Sequence, residues 1–231
     1  RPACPIPSPR PRLPKQIPTA PYDIRRGQRL VMIGVYGGSF DPIHLGHLKT
    51  AKFIKNELGL NRILLLPCNQ PVHRQPLHYS ASQRLEILNL ALKDFSELEV
   101  DTSEIDRGGD SYMIDTLKDL KVKLNNESIC LVIGMDSFVN FKSWKNWDEF
   151  SKIVHLIVLP REGKQPIEKA LETFEVSSDI KQIKSEANGF LYFSKLEMIN
   201  ISSTAVRGRI SESQSLDKFL PKSVINYLNN L

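Results

Sequence analysis

Two histidines, His44 and His47, lie three positions apart in the stretch GGSFDPIHLGHL, which opens with two adjacent glycines. Gly37 and Gly38 let backbone amides approach an anion closely, because no side chain stands in the way. Pro42 predicts a turn, and the histidine spacing places both imidazoles on one face of a helix start. The positive end of that helix would lie beside them. The stretch therefore predicts a polyphosphate site.

A second group of polar residues lies in INISSTAVRGRI, near the other end of the chain. Ser202, Ser203 and Thr204 precede a short helical run, and Arg207 follows three residues after Thr204. Hydroxyls and amides at a helix start, with a guanidinium one turn inside, suit a second phosphate group. An ordinary Ser/Thr cap beside a solvated arginine is the alternative for this segment taken alone.

Structural roles are also alternatives for the first motif, since single histidines and Gly-Gly pairs are common near helix starts and turns. A metal site at His44 and His47 is a further alternative, but the same face offers no third Cys, Asp or Glu ligand. Two histidines and a Gly-Gly pair at one strand-to-helix junction favour phosphate binding over both. We expect no metal site formed by the protein alone.

The elements that would position these residues alternate along the chain between buried apolar runs and helical periodicity. Strands are predicted for LVMIGVY (30–36), RILLLP (62–67), LEVDT (98–102), SICLVIG (128–134) and VHLIVLP (154–160). Helices are predicted for LGHLKTAKFIKNEL (45–58), QRLEILNLAL (83–92, capped by Ser80 or Ser82) and SYMIDTLKDLKVKL (111–124). Nearly continuous apolar strands between helices predict a parallel sheet covered on both faces. We expect a single-domain, doubly wound, Rossmann-like α/β fold.

Ligands of such sheets bind at the carboxyl ends of the strands, where the winding reverses. Here that point lies between the first and fourth predicted strands. It would place GGSFDP beside GMDSF, two turn segments rich in small residues. The two segments are expected to line one crevice.

Charge is distributed unevenly along the chain. Residues 1–29 carry seven Lys or Arg against one Asp, a net +6, so the total of +5 leaves about −1 for residues 30–231. The body therefore lacks the electrostatic footprint of a nucleic-acid-binding protein. Residues 1–29 also hold eight of the fifteen prolines, which predicts a disordered Pro/Arg-rich tail before a folded domain at 30–231. A basic arm that binds polyanions is the alternative for the tail.

Membrane insertion and secretion are disfavoured by the apolar runs and the cysteines. Runs such as HLIVLP are strand-sized, far below the roughly 20 residues of a membrane-spanning helix. The three cysteines, Cys4, Cys68 and Cys130, are odd in number and widely spaced, which is typical of a reducing compartment. We expect a cytoplasmic protein that binds neither membranes nor nucleic acid. The oligomeric state is left open, a homo-oligomer included.

GGSFDPIHLGHL and ISSTAVR, in this order and far apart, resemble the two motifs of the nucleotidylyltransferase superfamily: a His-x-Gly-His element and a Ser/Thr-rich segment ending in Arg. More narrowly, the chain resembles bacterial nicotinate-nucleotide adenylyltransferases over residues 32–231. The supporting stretches are PCNQPVHR (67–74), GGDSYMIDTL (108–117), IGMDSFVNFKSWKNW (133–147), VLPREG (158–163) and LPKSVINYL (220–228).

The resemblance implies transfer of the adenylyl group of ATP to nicotinate mononucleotide, by in-line attack of the mononucleotide phosphate, in NAD biosynthesis. Nicotinate adenine dinucleotide and pyrophosphate are the products, and Mg²⁺ would bind mainly through the ATP phosphates. An anionic phosphate nucleophile needs alignment and charge neutralisation rather than a general base. The implied catalytic residues are His47 on the α-phosphate, His44 on neighbouring oxygens and Arg207 on the departing pyrophosphate.

The resemblance also implies two sets of binding residues. ATP would contact Gly37, Gly38, Ser39, Phe40, Gly134, Asp136, Ser202, Ser203 and Thr204. Nicotinate mononucleotide would contact His73, Arg74, Tyr112, Met113, Trp144 and Arg161. A plain structural role is the alternative for each residue of the second set.

The resemblance implies individual binding roles for several of these residues. Asp136 would accept the ribose hydroxyls of ATP, with a helix N-cap as its alternative. The indole of Trp144 would face the cationic pyridine ring, whereas Trp147 is expected to pack. His73 and Arg74 would lie near the mononucleotide phosphate, and Arg161 would add positive charge. The amides of Tyr112 and Met113 would meet the carboxylate, although many relatives have Thr or Ser in place of Met113.

Superfamily members that act on phosphopantetheine or transfer cytidylyl groups are the nearest alternatives, and nicotinamide mononucleotide is an alternative substrate. A nucleotide-binding sensor without turnover is an alternative of another class, against which His44, His47 and Arg207 together argue. An aminoacyl-tRNA synthetase is disfavoured by the short chain and by the lack of a Lys-Met-Ser-Lys-Ser stretch.

Overall fold

The computed structural model describes residues 22–23, 28–29, 31–71, 76–161, 172–197 and 199–231. A two-stranded antiparallel ribbon pairs β1 (Tyr22–Asp23) with β2 (Gln28–Arg29). The main sheet has seven strands: β3 (Met32–Gly38), β4 (Arg62–Pro67), β5 (Glu99–Val100), β6 (Ser128–Gly134), β7 (His155–Leu159), β8 (Glu175–Val176) and β9 (Phe190–Phe193). Their order is β5-β4-β3-β6-β7-β9-β8, and all neighbours are parallel.

Helices cover both faces of this sheet. The described α-helices are α1 (Leu45–Leu58), α2 (Ala81–Ala91), α3 (Ser103–Arg107), α4 (Met113–Lys123), α5 (Met135–Val139), α6 (Ile180–Ser185), α7 (Ser203–Ser211) and α8 (Lys222–Leu228). Successive strand side chains point to opposite faces, so Cys130 and Val132 of β6 join a core with α1, α2, α7 and α8. Leu131 and Ile133 join a second core with α4 and α5. The expected doubly wound α/β domain is confirmed.

The strand order places the reversal of winding between β3 and β6, as the sequence predicts. Helix α1 and strand β4 have the predicted bounds, and Ser80 caps α2 through a capping box with Gln83. Strand β3 begins two residues later than predicted and ends at Gly38. Gly37 and Gly38 therefore form the last two residues of the strand rather than following it.

Strands β8 and β9 have no counterpart among the predicted strands. They are two and four residues long, too short for a periodic signal. Pairing of β9 with β7, and of β8 with β9, accounts for them rather than local sequence. Within residues 1–29 only β1 and β2 are described, so disorder of the tail stays a prediction. No helix in the described ranges has the length and apolarity needed to cross a membrane.

A buried histidine, His155, lies on β7 and makes two hydrogen bonds to backbone. Its Nδ1 accepts the N–H of Phe190 at 3.2 Å, and its Nε2 lies 3.0 Å from the carbonyl oxygen of Glu186. An imidazole that accepts at Nδ1 and donates from Nε2 is neutral. Burial lowers the pKa of His155 from 6.5 to about 4.

We predict that the free energy of unfolding falls as the pH decreases from 6.5 to about 4, the window between the two pKa values of His155. In that window the unfolded chain binds a proton that the folded ring does not, which amounts to roughly 3 kcal/mol. Urea unfolding at several pH values should show that His155→Gln loses less stability over this window than the wild type. Equal pH dependence in both proteins would contradict a neutral His155.

Candidate active site

His44 is the N-cap residue of α1, and its ring is 3% exposed. Its Nδ1 accepts the backbone N–H of His47 at 3.3 Å, so the proton of the neutral ring lies on Nε2. Burial lowers the pKa of His44 to about 4. Near neutral pH the imidazole is therefore an uncharged hydrogen-bond donor at a helix N-terminus.

The two imidazoles of the motif stack, with ring centroids 3.7 Å apart and planes 20° from parallel. Gly46 permits this arrangement, because a Cβ there would lie 2.9 Å from Cε1 and Nδ1 of His44. On its other side His47 meets the edge of Phe40, centroid to centroid 5.2 Å. Gly46 is thus required because the ring of His44 occupies the space that a side chain would need.

The loop from β3 to α1 is held by Asp41, which is 4% exposed. Its carboxylate accepts the N–H groups of His78 and Tyr79, both at 2.9 Å. The preceding residue, Phe40, has a left-handed φ of 45°, and the peptide bond from Asp41 to Pro42 is cis. This loop therefore takes its shape from contacts with a segment more than thirty residues further along the chain.

Arg207 of α7 joins the same loop from the other end of the chain. Its Nη1 donates to the carbonyl oxygen of Asp41 at 2.7 Å and lies 3.6 Å from the carboxylate of that residue. Ser203 donates its hydroxyl to the carbonyl oxygen of Pro42 at 3.1 Å. The two motifs, 161 and 166 positions apart at these contacts, are in direct contact.

The remaining hydroxyls of the C-terminal motif organise the start of α7. Ser202 is its N-cap and accepts the N–H of Ala205 at 3.1 Å. Thr204 accepts a hydrogen bond from Nη2 of Arg207 at 3.3 Å. A Ser/Thr cap is thus present, and its exposed residues Ser202 and Thr204 line the wall of a cavity.

That cavity has a volume of about 680 Å³ and lies between the two motifs. All the residues expected to be catalytic or to bind ATP line it: Gly37, Gly38, Ser39, Phe40, His44, His47, Gly134, Asp136, Ser202, Ser203, Thr204 and Arg207. The structure therefore brings this whole predicted set together at the reversal of the sheet winding.

A second cavity of about 480 Å³ adjoins the first. Tyr112, Met113 and Trp144 line it, as do Gly37, Gly38, Ser39, Gly134, Asp136 and Ser137, which line both cavities. Tyr112 is the N-cap residue of α4. Backbone amides at a helix start are without intrahelical acceptors, so they suit an anionic group of a ligand.

Comparison with known proteins agrees with this geometry. Residues 35–209 match the family model of cytidylyltransferase-like proteins. A "probable nicotinate-nucleotide adenylyltransferase" of Vesicomyosocius okutanii is 42% identical over 200 residues, which are 87% of this chain and 95% of that protein. One of Methylococcus capsulatus is 35% identical over 204 residues, 86% and 97% of the two chains. This chain belongs to the nicotinate-nucleotide adenylyltransferase family.

A solved structure supports the fold of this adenylyltransferase. The nicotinic acid mononucleotide adenylyltransferase of Plasmodium falciparum, complexed with NaAD, superposes with a TM-score of 0.66 at 20% identity. The match covers 87% of this chain and 95% of the other. At that identity the likeness concerns the fold, including the parallel sheet whose carboxyl edge carries both cavities.

Two expectations differ from what the structure describes, and a third is untested. Gly134, not Asp136, is the N-cap residue of α5, so the N-cap alternative for Asp136 is wrong. Arg161, expected near the mononucleotide, lines the larger cavity and forms an ion pair with Asp136. His73 and Arg74 lie outside the described residues.

Sequence reasoning missed Asp41, Arg84 and Glu104. Asp41 lies within a quoted motif, but only its distant partners reveal its role. Arg84 carries a local signal, since it lies three and four positions before the buried Ile87 and Leu88 of α2. Glu104 is buried, lines the smaller cavity and accepts the hydroxyl of Thr116 at 2.9 Å, and burial raises its pKa.

His44 has two roles: its Nδ1 caps α1, and its Nε2–H is a hydrogen-bond donor. Two substitutions distinguish these roles. Asn retains an N-cap acceptor but no imidazole, whereas Ala retains neither. By urea unfolding, His44→Ala should be about 1 kcal/mol less stable than His44→Asn. Pyrophosphate release should fall by a similar factor in both. Wild-type turnover in His44→Asn would contradict a role for the imidazole donor, and equal stabilities would contradict the cap.

Proposed function

We propose that this protein transfers the adenylyl group of ATP to nicotinate mononucleotide and releases pyrophosphate. The observation that carries the proposal is that the histidine pair and the Ser-Thr-Arg segment line one cavity, which adjoins a second one over shared residues. The larger cavity would hold ATP and the smaller one the pyridine nucleoside. The α-phosphorus would then meet the mononucleotide phosphate at the shared wall.

The residues fit a reaction that needs charge stabilisation and alignment. An oxygen of the mononucleotide phosphate would form a bond to the α-phosphorus as the bond to pyrophosphate breaks. We propose that His47 bonds the α-phosphate, and that Nε2–H of the neutral His44 bonds a neighbouring oxygen. Arg207 would stabilise the leaving pyrophosphate. Its described bonds to Asp41 and Thr204 use two of the five N–H donors of a guanidinium.

The smaller cavity suits a pyridinium ring with a carboxylate. Trp144 lines it and packs against Phe141, with ring centroids 5.1 Å apart and planes tilted by 33°, so Phe141 helps to hold the indole in place. We propose that the outer indole face receives the cationic ring. The N-terminus of α4, at Tyr112 and Met113, would receive the carboxylate, because helix amides and the helix dipole favour an anion. This favours the acid over nicotinamide mononucleotide.

We propose that Mg²⁺ enters with ATP and supplies neutralising charge to the phosphates. The described chain has no group of three or more His, Cys, Asp or Glu side chains placed to hold a metal. The carboxylate of Asp41 already accepts two N–H groups, and that of Asp136 pairs with Arg161. Phosphate oxygens and water are therefore the suitable ligands for this ion.

We also propose a cytoplasmic location. The two cysteines among the described residues, Cys68 and Cys130, are thiols rather than halves of a disulfide. Cys130 is buried, and burial raises its pKa to about 12. Such thiols persist in a reducing compartment.

The test of the proposed function is pyrophosphate release from ATP with nicotinate or nicotinamide mononucleotide. His47→Ala should lower turnover by about 10²-fold or more, as does loss of a donor to transition-state charge. His78→Ala is the matched control, since this exposed histidine contributes its backbone N–H to Asp41, which alanine keeps. Release of pyrophosphate with neither mononucleotide, or full activity of His47→Ala, would refute the proposal.

The two tryptophans provide a test of the smaller cavity. Trp144→Ala should raise KM for nicotinate mononucleotide by about tenfold, which corresponds to a cation–π contact of about 1.4 kcal/mol, and leave KM for ATP unchanged. Trp147→Ala is the control, because Trp147 does not line either described cavity and carries Lys142 over its ring at 5.4 Å. Steady-state kinetics with each substrate varied in turn gives both constants. Equal effects of the two substitutions would count against the assignment.

A further inference from the structure

A buried arginine, Arg84, lies behind the wall that the two cavities share. It is in α2, is 1% exposed, and has no part in the chemistry proposed above. Its guanidinium donates to three backbone carbonyl oxygens: Nη1 to Ser39 at 2.8 Å, Nη2 to Asn69 at 3.0 Å and Nε to Tyr79 at 3.3 Å. One side chain thus binds three separate segments of the chain.

Each of these segments forms part of the candidate active site. Ser39 follows β3 and lines both cavities. Asn69 follows β4 and donates its N–H to the hydroxyl of Ser111, which lines the smaller cavity. Tyr79 donates its N–H to the carboxylate of Asp41 in the larger cavity. Arg84 therefore lies where the walls of the two cavities meet.

The bond to Ser39 also determines the direction of the next amide. In a trans peptide unit, the C=O and N–H groups are coplanar and point in opposite directions. Because the Ser39 carbonyl points to the buried Arg84, the N–H of Phe40 points away from that guanidinium. Ser39 and Phe40 both line the larger cavity. Phe40 has a φ of 45°, a region that costs energy for a bulky residue unless its surroundings enforce it.

The guanidinium is suited to this position for a geometric reason. It holds its N–H groups in a rigid planar fork, so three carbonyls in different directions can be bonded at once. A lysine keeps the charge, but all its donors are on one nitrogen atom and cannot reach three separate carbonyls. Substitution by lysine therefore removes the fork and retains the cation.

We propose that Arg84 is a positioning residue that orients the Ser39–Phe40 amide toward the ATP phosphates and couples this loop to the mononucleotide cavity. The proposal rests on the proposed function. It predicts that one substitution outside both cavities impairs the use of both substrates, since Ser39 borders both and Asn69 connects to the smaller one.

The experiment compares Arg84→Lys with Arg62→Lys, a control on an exposed arginine of β4 that pairs with Glu99 on the surface. Arg84→Lys should remain folded at the assay temperature, lower kcat by about tenfold or more and raise KM for both substrates, as misplacement of reacting groups does. Arg62→Lys should match the wild type. Calorimetric titration with ATP alone should show weaker binding to Arg84→Lys.

A second variant, Arg84→Ala, tests whether the planar guanidinium group is needed or only its positive charge. Millimolar guanidinium ion should restore part of the turnover of Arg84→Ala, and methylammonium should not. Kinetic constants of Arg84→Lys within about twofold of the wild type, an effect on one substrate only, or a loss that matches the unfolded fraction by thermal denaturation would each overturn the proposal. Failure of Arg84→Lys to fold would overturn it too, since the residue would then serve the fold alone.

The wild-type protein distinguishes this proposal from the function on which it rests. If the wild type binds ATP but releases no pyrophosphate, the proposed function fails. The calorimetric comparison of ATP binding still tests whether Arg84 positions the loop. Equal ATP affinity of wild type and Arg84→Lys would then overturn the positioning role by itself.

Discussion

The architecture of the larger cavity depends on the hydrogen bonds of one residue, Asp41. Its carboxylate accepts two N–H groups from the segment before α2, and its carbonyl oxygen accepts a hydrogen bond from Arg207 of α7. Three stretches of chain that are remote in sequence thus meet at a single residue. A buried carboxylate is stable only when such donors replace water, so the loop and its partners have to form together. The histidine motif acquires its position from this junction rather than from α1 alone.

Several hydrogen-bond donors of the larger cavity are neutral groups or fixed dipoles near neutral pH. His44 is neutral because burial lowers its pKa to about 4, and the amides at the start of α1 and α7 are fixed dipoles. The guanidinium of Arg207 contributes a positive charge. An arrangement of fixed donors needs little reorganisation when charge moves from the α-phosphorus to pyrophosphate. The nucleophile is itself an anion, so a proton acceptor is unnecessary.

Much of the fold could be predicted from sequence, because a parallel sheet leaves continuous apolar runs and α1 has strong helical periodicity. The residues that line the larger cavity could also be located from sequence, since each of the two motifs is local and lies at an element boundary. Arg84 and Asp41 act through bonds to residues 45 and 166 positions away, and such contacts leave no periodic pattern. Arg161 was expected near the mononucleotide, yet pairing with Asp136 places it in the larger cavity. Its position depends on the register of β6 and β7, which the sequence alone does not determine.

Part of the wall between the two cavities is bare backbone at the end of β3. Gly37 and Gly38 line both, and a Cβ on Gly37 would lie 2.6 Å from Cε of Met113. The larger cavity borders α1, whereas the smaller one borders α4 and Trp144, so the two lie over opposite faces of the sheet edge. In-line displacement requires the attacking and leaving oxygens on opposite sides of the phosphorus. The glycines in this part of the wall, where the winding reverses, leave room for substrates from the two faces to meet in that geometry, which a bulkier residue at Gly37 would obstruct.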